Sequence, residues 1–199
     1  MLQLAEKIIF WMRKPAIVVV TGRDRSVAAA AISRALEHGL SGTKIINSGL
    51  ENDFEFSSAA FFLKHSSLPV FVVTSGDDEK TGPKLVQLAE NMPSCGRLVL
   101  NFDDAALRQL AKRTKAPSST FGFQEGADFR ATDIFVTETE TNFKINYEGK
   151  IVPFWLKNVF GNEHIYAALA AAAVGSSKGL NLVAISQAFI NNKEAVLPG

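Results

Sequence analysis

The stretch VVVTGRDRSVAAAAISRAL, residues 18–36, runs from an apolar β-branched segment through a glycine into an alanine-rich helical pattern. A strand apolar on both faces belongs in the middle of a parallel sheet. A glycine turn leading directly into a helix is the layout of a phosphate-binding loop. Such a loop aims backbone N–H groups at an anion from the positive end of the helix. It needs glycine-like backbone freedom more than side chains, and Gly22 supplies one such position. The lysine and hydroxyl residue that handle phosphoryl charge and magnesium in such loops are absent. One preorganised donor of that kind is worth on the order of 3 kcal/mol, roughly a hundredfold in rate. Arg23 and Arg25 can supply charge in its place, because guanidinium forks onto phosphate. The alternative is a structural strand-to-helix turn carrying two solvated arginines. Ser26 is placed to cap the helix and Gly39 to end it.

The same alternation continues. TKIINSG, LPVFVVTSG and GRLVLN read as strands; FEFSSAAFFLKH, GPKLVQLAENM and DAALRQLAKRT read as helices. Strand and helix in turn mean crossover units and a parallel sheet covered on both faces. After about residue 116 the pattern changes to short alternating strands, STFGFQ, FRATDIFVTETE, TNFKINYEG and KIVPFWLK, with NYEGK as a hairpin tip. These predict an antiparallel addition over about residues 117–157. Two helices, NEHIYAALAAAAVGSSKG and NLVAISQAFINN, close the chain. The fold class expected is α/β: a mostly parallel sheet flanked by helices, with a small antiparallel add-on. Residues 15–199 form one domain, preceded by an amphipathic helix over residues 1–14. That helix either packs on the domain or rests on a membrane surface with Phe10 and Trp11 down and Lys7, Arg13 and Lys14 up.

Charge is balanced, 21 basic against 20 acidic residues, which argues against a general grip on nucleic acid. Cys95 is the only cysteine, so no internal disulfide forms and a reducing cytoplasm is the expected compartment. His38, His65 and His164 have no zinc spacing. No apolar run reaches the roughly 18 residues of a membrane span.

Two acidic groups follow predicted strand ends, where α/β proteins place their sites. Asp103 and Asp104 can hold a metal or act as acid and base; the structural reading is that one caps the next helix and the other is solvated. Asp77, Asp78 and Glu79 can offer oxygen ligands to magnesium, or simply form an acidic helix start. Cys95, in MPSCGR, has no histidine near it in sequence and is not read as a nucleophile.

Several stretches in order carry a family likeness: KPAIVVVTG; GRLVLNFDDAALRQLA, with its strand ending in Asn-x-Asp-Asp; STFGF followed by ADFRATDIF; and GNEHIYAALAAAAVGSSKGLNLVAISQAF. Over about residues 14–192 the chain resembles the central, ATP-binding domain of the Mur ligases, which join amino acids or peptides to a peptidoglycan precursor. The subfamily it most resembles adds the D-alanyl-D-alanine dipeptide. The resemblance implies a P-loop NTPase-like fold, ATP and magnesium as cofactors, and phosphates held over Thr21, Gly22, Arg23, Asp24, Arg25 and Ser26. It further implies that Asn101, Asp104 and His164 lie beside the nucleotide.

The departures matter as much. Against the family's Thr-Gly-x-x-Gly-Lys-Thr/Ser-Thr, Arg25 replaces the second glycine, Ser26 the lysine, and Val27 and Ala28 the hydroxyl residues. A one-residue deletion would instead pair Arg25 with the lysine and Ser26 with the magnesium-binding hydroxyl. The segment between residues 45 and 90 is short for the family. Its catalytic Glu-x-Gly, magnesium-binding histidine and modified lysine are not found, so no residue is assigned to catalysis and the metal ligands are unknown. The family's N-terminal and C-terminal domains have no counterpart. The expectation is a degenerate central domain with weak or lost ATP and magnesium binding. It would serve as a binding or regulatory partner of an intact Mur ligase or of a second copy of itself. The alternative is an ATP-dependent amide ligase of cell-wall synthesis whose missing domains come from another chain or were lost by truncation.

Overall fold

The computed structural model describes residues 14–37, 42–76 and 80–191. The N-terminal helix expected over residues 1–14, the helix end at Gly39 and the acidic run Asp77–Glu79 lie wholly or mainly outside the described residues.

The elements follow in chain order. β1 (Ile17–Thr21), α1 (Arg25–Glu37), β2 (Lys44–Asn47), α2 (Asp53–His65), β3 (Pro69–Val73), α3 (Gly82–Glu90), β4 (Arg97–Asn101) and α4 (Ala105–Leu110) alternate as the sequence predicts. β5 (Ser118–Gly122), β6 (Phe129–Val136), β7 (Glu140–Tyr147) and β8 (Lys150–Lys157) then run on without a helix, and α5 (Asn162–Ser177) and α6 (Leu182–Asn191) are the last of the described elements. All eight strands form one sheet, in the order β2-β1-β3-β4-β5-β6-β7-β8.

The antiparallel addition is smaller than the sequence suggests. STFGFQ does not belong to it: β5 pairs parallel with β4, Leu98 opposite Ser118, and β6 joins β5 parallel through Phe121 and Phe129. Only β6-β7-β8 are antiparallel. A short strand with no crossover helix behind it carries no local mark of its direction; the partner across the sheet decides. The hairpin tip is where NYEGK places it. Tyr147 faces Lys150, and Glu148 and Gly149 both take positive φ, 49° and 75°, as a two-residue turn between twisted strands requires.

Alternation along the strands divides the core. Val18 and Val20 of β1 pack with α1, α5 and α6 on one face; Val19 packs with α2, α3 and α4 on the other. α5 is buried through Ala167–Gly175, and its run of alanines lets α1 approach closely. Arg34 of α1 donates to the carbonyls of Ala188 and Phe189, satisfying the end of α6. The antiparallel strands are covered on one face only. Phe135 and Ile151, 65% and 62% exposed, stand on the other side. The β8 edge is protected. Pro153 has no N–H to offer and its carbonyl accepts from Ser186 Oγ at 2.6 Å.

Among the described residues no helix is long and apolar enough to cross a membrane.

Candidate functional site

The strand order reverses beside β1: the chain leaves β1 for β2 on one side and returns to β3 on the other. Crevices at the carboxyl ends of strands open at such a switch point. Two lie here, and Arg23 and Ser75 line both.

The loop after β1 is three residues long, because α1 begins at Arg25. Its left-handed positions are Gly22, with φ 103°, and Asp24, with φ 56°. Aspartate tolerates this region better than arginine does, so Arg25 keeps ordinary helical backbone. Ser26 is therefore not the cap foreseen for it. It lies inside the first turn, where its Oγ accepts from Asn47 Nδ2 at 2.9 Å.

The end of β3 holds this loop down. Arg23 N donates to Ser75 Oγ at 2.8 Å, and Thr74 N donates to Thr21 O at 3.0 Å. Thr74 Oγ1 lies against the carbonyls of Thr21 and Arg23. The approach is so close that a Cβ on Gly22 would stand 2.6 Å from both Ser75 N and Thr74 Oγ1. Nothing in the sequence marks Thr74 and Ser75 for this task; only the parallel pairing of Thr21 with Val73 brings them there.

The first cleft, of about 280 Å³, lies between the β1 loop and the loops after β2 and β3. Thr21, Arg25, Gly49, Glu51, Ser75 and Thr81 are on its wall. Arg25 Nη2 is 3.7 Å from Glu51 Oε1, and Nη1 reaches Gly22 O at 3.5 Å. The second cleft, of about 250 Å³, lies on the α5 side, lined by Asp24, Asn101, Asp103, Asp104, Glu163 and Tyr166 among others.

Asn-x-Asp-Asp is a staple. Asn101 Nδ2 donates to Thr74 O at 3.1 Å, and its Oδ1 accepts from Asp103 N at 3.0 Å. Asp104 caps α4 through the N–H groups of Ala106 and Leu107, at 2.9 and 3.3 Å, as the sequence allows. Its other oxygen accepts from Gly76 N at 2.7 Å. Asp103 is not the solvated partner foreseen. It accepts from Phe123 N at 2.7 Å, Gln124 N at 2.9 Å and Tyr166 Oη at 2.7 Å. Burial, that hydrogen bond and the Asp103 charge push the Tyr166 phenol well above its ordinary range. Tyr166 also meets Phe123 edge-on, ring centroids 4.5 Å apart.

His164 is on the wall of neither cleft; it is 7% exposed, and its Nδ1 has no hydrogen-bond partner. Its neighbours Glu163, Tyr166 and Ala167 face the second cleft instead. Cys95 is exposed in a turn.

The donor set does not suit magnesium at the aspartate pair. Each carboxylate already accepts three N–H or O–H groups, which leaves about one acceptor position apiece for a cation that takes about six oxygens. Among the described residues no three His, Cys, Asp or Glu side chains gather as a metal cluster.

A doubly wound sheet with a clamped glycine turn at its switch point defines a domain of the phosphate-loop class. A family model described as the Mur ligase middle domain matches residues 76–175. The chain belongs to that family. It is 27% identical over 118 residues to the UDP-N-acetylmuramate–L-alanine ligase of Vesicomyosocius okutanii, covering 59% of this chain and 25% of the relative. It shares its fold with the MurF ligase of Thermotoga maritima in complex with ADP: TM-score 0.73, 13% identity, 90% of this chain and 50% of that one. The UDP-N-acetylmuramoylalanyl-D-glutamyl-2,6-diaminopimelate–D-alanyl-D-alanyl ligase from Acinetobacter baumannii superposes with TM-score 0.74 at 14% identity, over 96% of this chain and 49% of that one. The chain thus spans a quarter of the length of that curated relative and about half of those solved ligases.

Proposed function

We propose that this chain is a degenerate Mur ligase central domain. It binds a nucleotide or phosphate weakly at the Gly22 cleft and has no ligase activity of its own. It acts as a binding or regulatory partner in peptidoglycan precursor synthesis, in the cytoplasm, with an intact Mur ligase or a second copy of itself as the partner.

The observation that carries this reading is the make-up of the loop in place. Gly22 and Asp24 supply the two left-handed positions, so the backbone turn survives. The first turn of α1 then presents Arg25 and Ser26, with no lysine. Asp24 in the left-handed region and Arg25 opening the helix favour the reading in which a shortened loop pairs Arg25 with the family's lysine position. A guanidinium there holds an anion, but it is already shared with Glu51. The resemblance also implies magnesium, which would offset phosphate charge and orient the oxygens. The aspartate pair does not fit it, and no step is assigned through it.

Two assays test the reading. Titration with ADP should show weak binding that Arg25→Gln weakens further. Phosphate release from ATP with a D-alanyl-D-alanine acceptor and the uridine-linked precursor should stay at background.

A second reading rests on the length comparison. The chain spans about half of its ligase relatives, and on this reading the other parts are supplied by another polypeptide or a longer form of this one. On that reading ATP binds through Arg25 and Ser26, and ligase activity appears once those parts are supplied. ATP-dependent amide formation by a longer form, lost in Arg25→Gln, would favour it.

A further inference from the structure

The segment Gly49-Leu50-Glu51, between β2 and α2, is built to hold one side chain over the cleft. Leu50 has φ 57°, a conformation that an ordinary L-residue adopts at a cost. Its side chain is wholly buried in the core beneath α2, α3 and α4. Lys84 Nζ, reaching from α3, donates to Leu50 O at 2.9 Å and to Glu51 O at 3.3 Å. Glu51 N donates to Glu55 Oε2 at 3.3 Å. The Glu51 backbone is thus fastened on both sides while its side chain is 72% exposed. That side chain turns back over Gly49 to Arg25. A Cβ on Gly49 would lie 2.9 Å from Glu51 Oε1 and 3.1 Å from Arg25 Nη2, so the pair meets in space that only glycine leaves open.

We propose that Glu51 is an internal competitor for the anion seat: its carboxylate occupies Arg25, and a diphosphate-type ligand binds only by displacing it. This rests on the reading of the cleft as an anion site. A buried core leucine in a left-handed conformation and a lysine bound to two consecutive carbonyls are more than a solvated glutamate needs. Their joint effect is to aim one carboxylate at the one guanidinium in the cleft's first helical turn. A phosphate drawn to Arg25 meets that carboxylate twice, as a rival for the same donors and as a like charge a few ångströms away. Displacement is feasible because the pair is open to solvent and loosely matched at 3.7 Å, and exposed pairs of this kind are weak. The arrangement lowers affinity without abolishing it. It also gives a partner a handle: a cationic group that captures Glu51 releases Arg25 and raises affinity at the loop.

The test titrates inorganic pyrophosphate, and ADP in parallel, into the full chain without divalent cations. The proteins are the unaltered chain, Glu51→Gln, Arg25→Gln and the double variant, each checked by thermal melting. Glu51→Gln should bind both ligands about three- to tenfold more tightly, and most of that gain should vanish in the Arg25→Gln background, leaving only the like-charge part. Equal gain with both ligands puts the effect on the phosphates. An unchanged Glu51→Gln, beside an unaltered chain that binds, overturns the competitor and leaves the cleft reading standing. So does a gain that persists undiminished without Arg25, which would be repulsion alone, or a gain with ADP alone. If neither the unaltered chain nor Glu51→Gln binds either ligand, the cleft reading itself falls, and the competitor with it.

Discussion

Tyr166 Oη donates a 2.7 Å hydrogen bond to Asp103 Oδ2 across 63 residues of chain, joining α5 to the turn after β4. The same carboxylate gathers the N–H groups of Phe123 and Gln124 after β5. One aspartate thereby ties two segments that line the second cleft, the turn after β4 and α5, to the end of β5. Hydrogen bonds to a charged acceptor contribute more than neutral ones. Tyr166→Phe should therefore lower stability by about 1.5 kcal/mol with an unchanged denaturant slope, as read by urea unfolding.

The same pair sets a dependence on pH. The Tyr166 phenol is raised in the folded chain, so the folded state keeps its proton when the unfolded state loses it, at about pH 10. Its contribution is fully present below about pH 10 and declines as pH climbs towards the folded value. Unfolding curves at pH 8, 10 and 11 should show an alkaline loss that is smaller in Tyr166→Phe. An equal loss in both proteins would place the sensitivity elsewhere.

Asp104 fastens two elements with separate oxygens, the start of α4 and the turn at Gly76. Asp104→Ala removes a helix cap and leaves a third N–H without its acceptor. A loss of about 2 kcal/mol is expected. Asp104→Asn, which keeps one acceptor oxygen, should lose less. Thermal and urea unfolding of the two variants side by side gives the comparison.

Gly22 combines φ 103° with the closest approach of β3 to the loop. Gly22→Ala introduces backbone strain and a collision with Ser75 N and Thr74 Oγ1 at the same position. The expected cost is about 2–3 kcal/mol, with loss of pyrophosphate binding at temperatures where the variant is still folded. Gly149→Ala, left-handed at the hairpin tip but in open space, serves as the contrast and should cost about 1 kcal/mol without touching binding.

The parts of the fold legible in the sequence are those with a local cause. Apolar β-branched runs mark β1, β3 and β4, helical periods mark the crossovers, and Glu148-Gly149 marks the hairpin. The direction of β5 was not legible, because a parallel and an antiparallel strand of that length read alike until a partner is known. Gly22 and the Asn101–Asp104 turn were visible as punctuation after strands. Thr74, Ser75, Glu51 and Tyr166 were not, since each joins the site through pairing or packing over a long stretch of chain. The role of Asp103 is left open by the sequence, which shows neighbours along the chain, while its partners come from the end of β5 and from α5.

The most direct test of the account is a calorimetric titration of ADP into the full chain, with and without magnesium, beside Arg25→Gln. Binding in the high-micromolar to millimolar range, on the order of 4–6 kcal/mol, is predicted, little changed by magnesium and weakened by Arg25→Gln. Submicromolar binding that requires magnesium and survives Arg25→Gln would contradict it.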